Sequence, residues 1–150
     1  RPMKLSNKGL YGLQAVFDLA YHNEGRAAQI KDICDRQGIP ARFLEQVFRD
    51  LKRAGLVGSK RGPHGGYELT HKPVDVRLGD VVRAIEGPLS LAGSGRGRGG
   101  TSQDVLRDVL GVVSRKVENC FDEVTFADLC ARAEALGVAR GATTRYVYAI

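Results

Sequence analysis

Three segments with apolar residues at helical spacing precede a pair of β-prone segments, and this order constrains the fold more than any other feature of the sequence. The first segment follows Ser6 and ends at His22, where a turn-forming stretch at residues 23–25 begins. We predict a helix here whose inward apolar side chains are Leu10, Leu13, Phe17 and Ala20.

A second and a third helix follow, with only a short turn between them. We predict the second helix over residues 29–37, because Gly38 suits the left-handed residue that ends many helices. The third helix is predicted over residues 40–54. Pro40 is tolerated in its first turn, where the missing N–H would have no helical partner, and Gly55 ends it.

Two short β-prone segments, residues 56–57 and 67–69, come next and predict strands joined by a loop. Glycine and proline dominate the stretch between them: Gly58, Gly62, Pro63, Gly65 and Gly66. Three helices followed by a hairpin are the element order of a winged helix-turn-helix, with the wing at residues 60–67. The predicted fold class is therefore mainly α with a small β-hairpin wing and, beyond it, a long dimerisation helix.

The second half of the chain contains that long helix. Residues 78–85 predict a short helix ending at Gly87, and residues 88–101 form a glycine-rich loop that cannot support a packed element. Beyond the loop, apolar residues that recur every seven positions form a narrow seam, which is typical of a helix that packs on another helix. The seam that predicts dimerisation consists of Leu106, Leu110, Val113, Val117 and Cys120.

These patterns divide the chain into four parts. Residues 3–87 form the winged helix-turn-helix domain, and residues 88–101 form the loop. Residues 102–136 hold the dimerisation helix and a short following helix marked by Phe126, Leu129 and Ala133. Residues 137–150 form a tail that is either disordered or adds an edge strand over 146–150.

The predicted third helix separates apolar from charged residues on two faces. Near its start, Arg42, Glu45 and Gln46 are candidates for reading base edges, because these side chains match the donors and acceptors of a major groove. Arg49, Lys52 and Arg53 are expected at the DNA backbone. Taken alone, such a stripe is as often a merely solvated helix face.

The predicted wing adds cations beside that helix. Lys60, Arg61 and His64 lie on a narrow glycine tip that fits a minor groove, whose negative potential favours arginine. The net charge of +6 is uneven: residues 1–70 carry 12 Lys and Arg against 7 Asp and Glu, and the remainder carries 11 against 10. Double-stranded DNA is the polyanion that this asymmetry favours.

Several other classes of protein are disfavoured. No apolar run approaches the roughly 18 residues of a membrane span, so we expect a cytoplasmic protein. Cys34, Cys120 and Cys130 form no CxxC pair and predict free, mostly buried thiols, and the three histidines are too scattered for a metal site. Because the chain has no catalytic Ser, His and Asp arrangement, no phosphate-binding glycine motif and no carboxylate cluster, we do not expect an enzyme.

A set of short motifs occurs together, and in order, within residues 3–90. They are Ser6-Asn7-Lys8-Gly9-Leu10-Tyr11, Ile33-Cys34-Asp35-Arg36-Gln37-Gly38-Ile39, Leu44-Glu45-Gln46, Leu51-Lys52-Arg53-Ala54-Gly55-Leu56-Val57, Arg61-Gly62-Pro63-His64-Gly65-Gly66-Tyr67 and Leu78-Gly79-Asp80-Val81-Val82. Their joint occurrence resembles the Rrf2 family of bacterial transcriptional regulators.

The resemblance implies a homodimer on a pseudo-palindromic operator. It implies that Glu45 and Gln46 lie in the recognition helix, and that Arg61 of the wing reaches the minor groove. It also implies that three residues near the start of the chain position the DNA backbone: Ser6, Lys8 and Tyr11. Pro40 departs from the family pattern, because many relatives carry there a hydroxyl residue that can contact DNA.

Members of that family that sense through an iron-sulfur cluster carry three cysteines in the loop corresponding to residues 87–100. This chain has none, and the loop offers no other sulfur, imidazole or carboxylate. We therefore predict no cofactor at this loop. The chain is either a natural cluster-free regulator, controlled by another small molecule or protein effector, or a deliberately cysteine-depleted version of a cluster protein.

Two functions of different classes remain open on the sequence. The first is a sequence-specific DNA-binding regulator, acting as a repressor or an activator. The second is a protein-interaction module of the same fold, which would bind an acidic protein and show only weak nonspecific affinity for DNA.

Overall fold

Six α-helices and one two-stranded hairpin make up the computed structural model, which describes residues 1–93 and 99–141. The elements are α1 (Asn7–His22), α2 (Ile30–Gln37), α3 (Ala41–Arg53), β1 (Val57–Lys60), β2 (Gly66–Leu69), α4 (Leu78–Glu86), α5 (Ser102–Asp122) and α6 (Phe126–Ala135), with a 3-10 turn at Pro73–Asp75. This confirms the predicted mainly α fold with a hairpin and a long helix. The edge strand predicted over 146–150 lies outside the described residues. No helix within them has the length and apolar character that crossing a membrane requires.

The turn between α2 and α3 forms as predicted. Gly38 adopts the left-handed conformation with φ 67°, and its N–H donates to the carbonyl of Cys34 at 2.8 Å. Pro40 is the N-cap of α3, so the helix begins one residue later than predicted. The apolar stripe of α3 is fully buried and comprises Leu44, Val47, Phe48 and Leu51.

The inward face predicted for α1 is partly wrong. Leu10 is 43% exposed, and Leu13 and Phe17 are only half-buried. The buried face includes Gly9 and Gly12, because the absence of side chains lets α4 approach closely: a Cβ on Gly12 would lie 2.9 Å from Cγ1 of Ile85. A prediction based on the spacing of large apolar residues misses a buried helix face that is made by glycine.

The hairpin is anchored to the helical body through a third segment of chain. β1 and β2 pair antiparallel, with Val57 opposite Leu69 and Lys60 opposite Gly66, so both strands are longer than predicted. Ala28, in the connection between α1 and α2, pairs with the outer side of β2: each of Ala28 and Tyr67 donates its N–H to the other's carbonyl at 2.8 Å. The wing therefore has a fixed position on the body.

The end of the described chain returns to the core of the winged helix. Phe126 of α6 is fully buried, its N–H donates to the carbonyl of Val76 at 2.9 Å, and α6 packs against α1. Further on, the hydroxyl of Tyr21 donates to the carbonyl of Val138 at 2.5 Å. Residues 126–135 thus share a core with residues 7–53, and the proposed division of the chain near residue 102 stays a prediction.

α5 presents an exposed apolar face, which consists of Val105, Leu106, Val109, Val112 and Val113. Of the seam predicted from the sequence, Leu106, Val113 and Cys120 are exposed, whereas Leu110 and Val117 are half-buried. The apolar residues spaced seven positions apart thus form two rows on α5. The row of Leu106, Val113 and Cys120 is exposed, and the row of Leu110 and Val117 is half-buried.

A buried ion pair fixes α1 against α2. The side chain of Asp18 is completely buried, and that of Arg36 is 11% exposed. Arg36 donates from Nε to one carboxylate oxygen of Asp18 at 2.9 Å and from a terminal nitrogen to the other at 2.7 Å, and Gln37 adds a third hydrogen bond at 3.0 Å. This two-point contact satisfies a charge that would otherwise be unfavourable to bury.

Arg36→Met leaves the carboxylate of Asp18 buried without its cation, and we expect it to lower the free energy of unfolding by about 3–5 kcal/mol. The double variant with Asp18→Leu removes both charges and should recover part of that loss. Urea unfolding at a fixed protein concentration measures both. The control is Arg26→Met, which removes an exposed arginine 3.8 Å from Glu24 and should change stability by less than about 0.5 kcal/mol. Equal losses for the two arginine variants would contradict the assignment.

Candidate nucleic-acid interface

The solvent side of α3 carries all the residues that the sequence assigned to DNA on this helix. They are exposed without exception: Arg42, Glu45, Gln46, Arg49, Lys52 and Arg53. The guanidinium of Arg42 lies 5.0 Å from the ring centre of its neighbour Phe43. Because the opposite stripe is buried, α3 offers one polar, mainly cationic face to a partner.

A groove runs between α3 and the hairpin, and it is lined by Glu45, Arg49, Lys52, Arg53 and Tyr67. At its base the ring of Tyr67 stacks on Phe48, with 4.5 Å between ring centres and 14° between planes. Across the groove, Nζ of Lys52 donates to Oγ of Ser59 on β1 at 2.5 Å. These contacts hold α3 and the hairpin as one unit.

The loop at residues 61–65 carries the predicted wing residues. Arg61 and His64 in the loop, and Lys60 at the end of β1, are all exposed. Just after the loop, Gly66 has φ 142°, and a Cβ there would collide with the carbonyl oxygen of Ala28. Glycine at this position therefore allows β2 to pair with Ala28 while the loop remains in solvent.

The three candidates near the start of the chain all have partners within the protein. Ser6 caps α1 by accepting the N–H of Gly9 at 3.0 Å, while its own N–H, at 2.7 Å, and its hydroxyl donate to the carboxylate of Glu86. Lys8 forms an ion pair with Asp50 at 2.5 Å. Tyr11 packs against Phe43 with 5.5 Å between ring centres. Their assignment to the DNA backbone stays a prediction.

Sequence reasoning missed Asp50 and Glu86 as residues of this region. Asp50 lies on α3 among the cations, so in the sequence it looks like one more charge on a solvated helix face. The local pattern that could have indicated its ion pairing is its position three residues before Arg53. Glu86 contacts Ser6 across 80 positions of sequence, and no local pattern announces such a contact.

The loop after α4 does not fit a thiolate-bound metal cluster. Residues 88–101 contain no Cys, His, Asp or Glu. The first part of the loop docks on α5, where the N–H of Leu89 donates to Glu118 at 2.8 Å and that of Leu91 donates to Ser114 at 3.0 Å. Across the part of the chain that the structure describes, no three His, Cys, Asp or Glu side chains converge as metal ligands would.

The cysteines lie on three different helices. The prediction of mostly buried thiols is wrong, because Cys120 on α5 is exposed and Cys34 and Cys130 are half-buried. Partial burial raises the pKa of the thiols of both Cys34 and Cys130, and the nearby Asp35 raises the pKa of Cys34 further. Both half-buried thiols are therefore protonated, and poorly nucleophilic, near neutral pH.

Comparison with known proteins adds to this geometry. The model of the Rrf2 family, described as an iron-dependent transcriptional regulator, matches residues 5–132. The chain is similar to the protein rrf2 of Nitratidesulfovibrio vulgaris, 45% identical over 84 residues that make up 56% of each chain. It is also similar to the HTH-type transcriptional regulator IscR of Vibrio atlanticus, 34% identical over 91% of this chain and 80% of the relative. The solved structure of T. potens IscR superposes with a TM-score of 0.71 at 39% identity, over 97% of this chain and 96% of that one.

Gly66→Ala should push β2 away from Ala28, since the new Cβ would meet the carbonyl of Ala28 at a backbone conformation that other residues rarely adopt. We expect the amide protons of Ala28 and Tyr67 to lose their protection from hydrogen exchange. Gly62→Ala is the matched control, because Gly62 also has a positive φ, 109°, but nothing lies within 4 Å of the added Cβ. If both variants keep these two amides equally protected, Gly66 does not anchor the wing.

Proposed function

The chain belongs to the Rrf2 family of transcriptional regulators, which are not enzymes, and we propose that it binds a pseudo-palindromic DNA operator as a homodimer. In this proposal α3 enters the major groove, where Arg42, Glu45 and Gln46 contact base edges. The wing at residues 60–67 enters the adjoining minor groove with Arg61. The chain spans 56% of the length of the N. vulgaris relative.

The observation that carries the proposal is the joint surface of α3 and the hairpin. Glu45, Arg49 and Tyr67 line one groove between these two elements. The stacking of Tyr67 on Phe48 and the hydrogen bond from Lys52 to Ser59 keep the elements together. A rigid pair of this kind suits a duplex, because neighbouring grooves lie at a fixed spacing.

The homodimer is supported by the exposed apolar face of α5. Val105, Leu106 and Val109 are each more than half exposed, which is unfavourable in water for apolar residues that lie side by side. Burying this face against the same face of a second chain gives a two-fold symmetric pair, and a symmetric pair matches a palindromic site.

We further propose that the regulator works without an iron-sulfur cluster at residues 88–101. The family is described as iron-dependent. Residues 88–101 contain no Cys, His, Asp or Glu, and the first part of this loop docks on Glu118 and Ser114, which favours control by another signal. The site of action would be the bacterial cytoplasm, where the operator DNA lies.

The operator is obtained by selecting duplexes from a random pool with the full chain. On that operator, Arg61→Ala should weaken binding by about 1–3 kcal/mol and reduce the preference over scrambled DNA, because Arg61 reads the site. Arg49→Ala should weaken binding to both DNAs by the same factor, because the proposal places Arg49 at phosphates. Fluorescence anisotropy at fixed salt measures the affinities of the wild type and both variants for both DNAs.

Arg132→Ala on the exposed side of α6 is the control for loss of one positive charge, and it should change neither affinity. A wild-type chain that selects no operator would contradict the proposed function and favour the protein-interaction module. An unchanged operator affinity for Arg61→Ala would refute the role of the wing alone.

Purified and reconstituted anaerobically with iron and sulfide, the chain should retain neither in stoichiometric amount, because its loop supplies no thiolate. Oxygen and chelators should leave its operator affinity unchanged. An IscR relative that carries loop cysteines, treated in parallel, verifies the reconstitution. Stoichiometric iron and sulfide, with an affinity that changes on oxidation, would overturn the cluster-free proposal.

A further inference from the structure

We propose that Asp50 is a positioning residue of the DNA-binding surface: its carboxylate fixes Lys8 of α1 beside α3 and thereby sets the angle at which α3 is presented to DNA. This inference rests on the proposed function. In this proposal Asp50 itself contacts no base, and it acts through the two helices that it joins, α1 and α3.

The carboxylate of Asp50 bridges two cations. One oxygen lies 2.5 Å from Nζ of Lys8, and the other lies 3.6 Å from a terminal nitrogen of Arg53. The side chain of Asp50 is 16% exposed, that of Lys8 36% and that of Arg53 74%. The contact with Lys8 is therefore the better shielded of the two, and charge pairs that are partly removed from water attract more strongly than exposed ones.

A second contact joins the same two helices. Tyr11 of α1 packs on Phe43 of α3, and Phe43 and Asp50 are seven residues apart, which places them on one face of α3, roughly 10 Å from each other along its axis. The two helices also pack through the buried core. The Lys8 and Asp50 pair adds a charged contact at the edge of this interface, away from the contact of Tyr11 with Phe43, and further restrains the angle between the helices.

The first turn of α1 is itself held from the other side. Glu86 at the end of α4 accepts the N–H of Ser6 at 2.7 Å and also its hydroxyl. Lys8 thus projects from a turn that is already attached to α4, so its ion pair ties α3 to a fixed support.

The electrostatics alone would argue against a carboxylate here. Arg49, Lys52 and Arg53 share the exposed side of α3, and a negative charge among them weakens their attraction for phosphate. If Asp50 acted only through its negative charge, it would reduce binding to every DNA by the same factor. If Asp50 positions α3, it increases binding to the operator relative to other DNA. The ratio of the two affinities therefore distinguishes the two roles.

The test uses Asp50→Asn in the full chain, with the selected operator and a scrambled duplex of the same length. We expect the ratio of the two affinities to fall by roughly three- to tenfold, as for other coupled pairs in direct contact. Binding to the scrambled duplex should stay constant or strengthen, since a negative charge is lost. Asp75→Asn in the 3-10 turn makes the same charge change outside the α1 and α3 contact and should leave the ratio unchanged.

The charge-reversed pair, Lys8→Asp with Asp50→Lys, conserves net charge and the contact, and it should restore most of the ratio. Lys8→Met removes the pair from the other side, and it serves if Asp50→Asn does not fold. An unchanged ratio in the folded variants, or a reversed pair no better than Asp50→Asn, overturns the inference. If the wild-type chain itself shows no operator preference, the proposed function fails instead.

Discussion

The stacking of Tyr67 on Phe48 is the interaction on which the joint surface of α3 and the hairpin depends. Tyr67 pairs through its backbone with Ala28 and stacks through its ring on Phe48 of α3, so one residue links the connection between α1 and α2, the hairpin and α3. The hydrogen bond from Lys52 to Ser59 adds a second link between α3 and the hairpin. Through these two links, α3 and the hairpin form a single surface whose spacing is defined by the core.

α1 is the support for that surface. Its glycine face lies against α4, its buried Asp18 holds Arg36 of α2, and Lys8 reaches Asp50 of α3. The three contacts differ in physical type, being close packing, a buried charge pair and a partly exposed one. They join α1 to three different helices, which are α4, α2 and α3.

The fold was largely predictable, because each element carries a local signal. The stripe of α3, the left-handed Gly38 and the glycine-rich loop are read from neighbouring residues, and the exposed side of α3 follows from its buried side. The contacts that position the site were not predictable in the same way. Gly12 faces α4 because it lacks a side chain, Glu86 meets Ser6 across the fold, and the pairing of Ala28 with Tyr67 requires a segment with no strand pattern. Such contacts depend on tertiary proximity, to which periodicity is insensitive.

In the proposed function, α3 and the wing act as one surface on one duplex. Photo-crosslinking from single positions tests it most directly, with a photoreactive residue placed at Arg42, at Arg61 or, on the exposed side of α6, at Arg132. We expect positions 42 and 61 to crosslink to neighbouring grooves of the same half-site and position 132 to form no crosslink. Crosslinks from only one of the first two positions, or stronger ones from position 132, would contradict it.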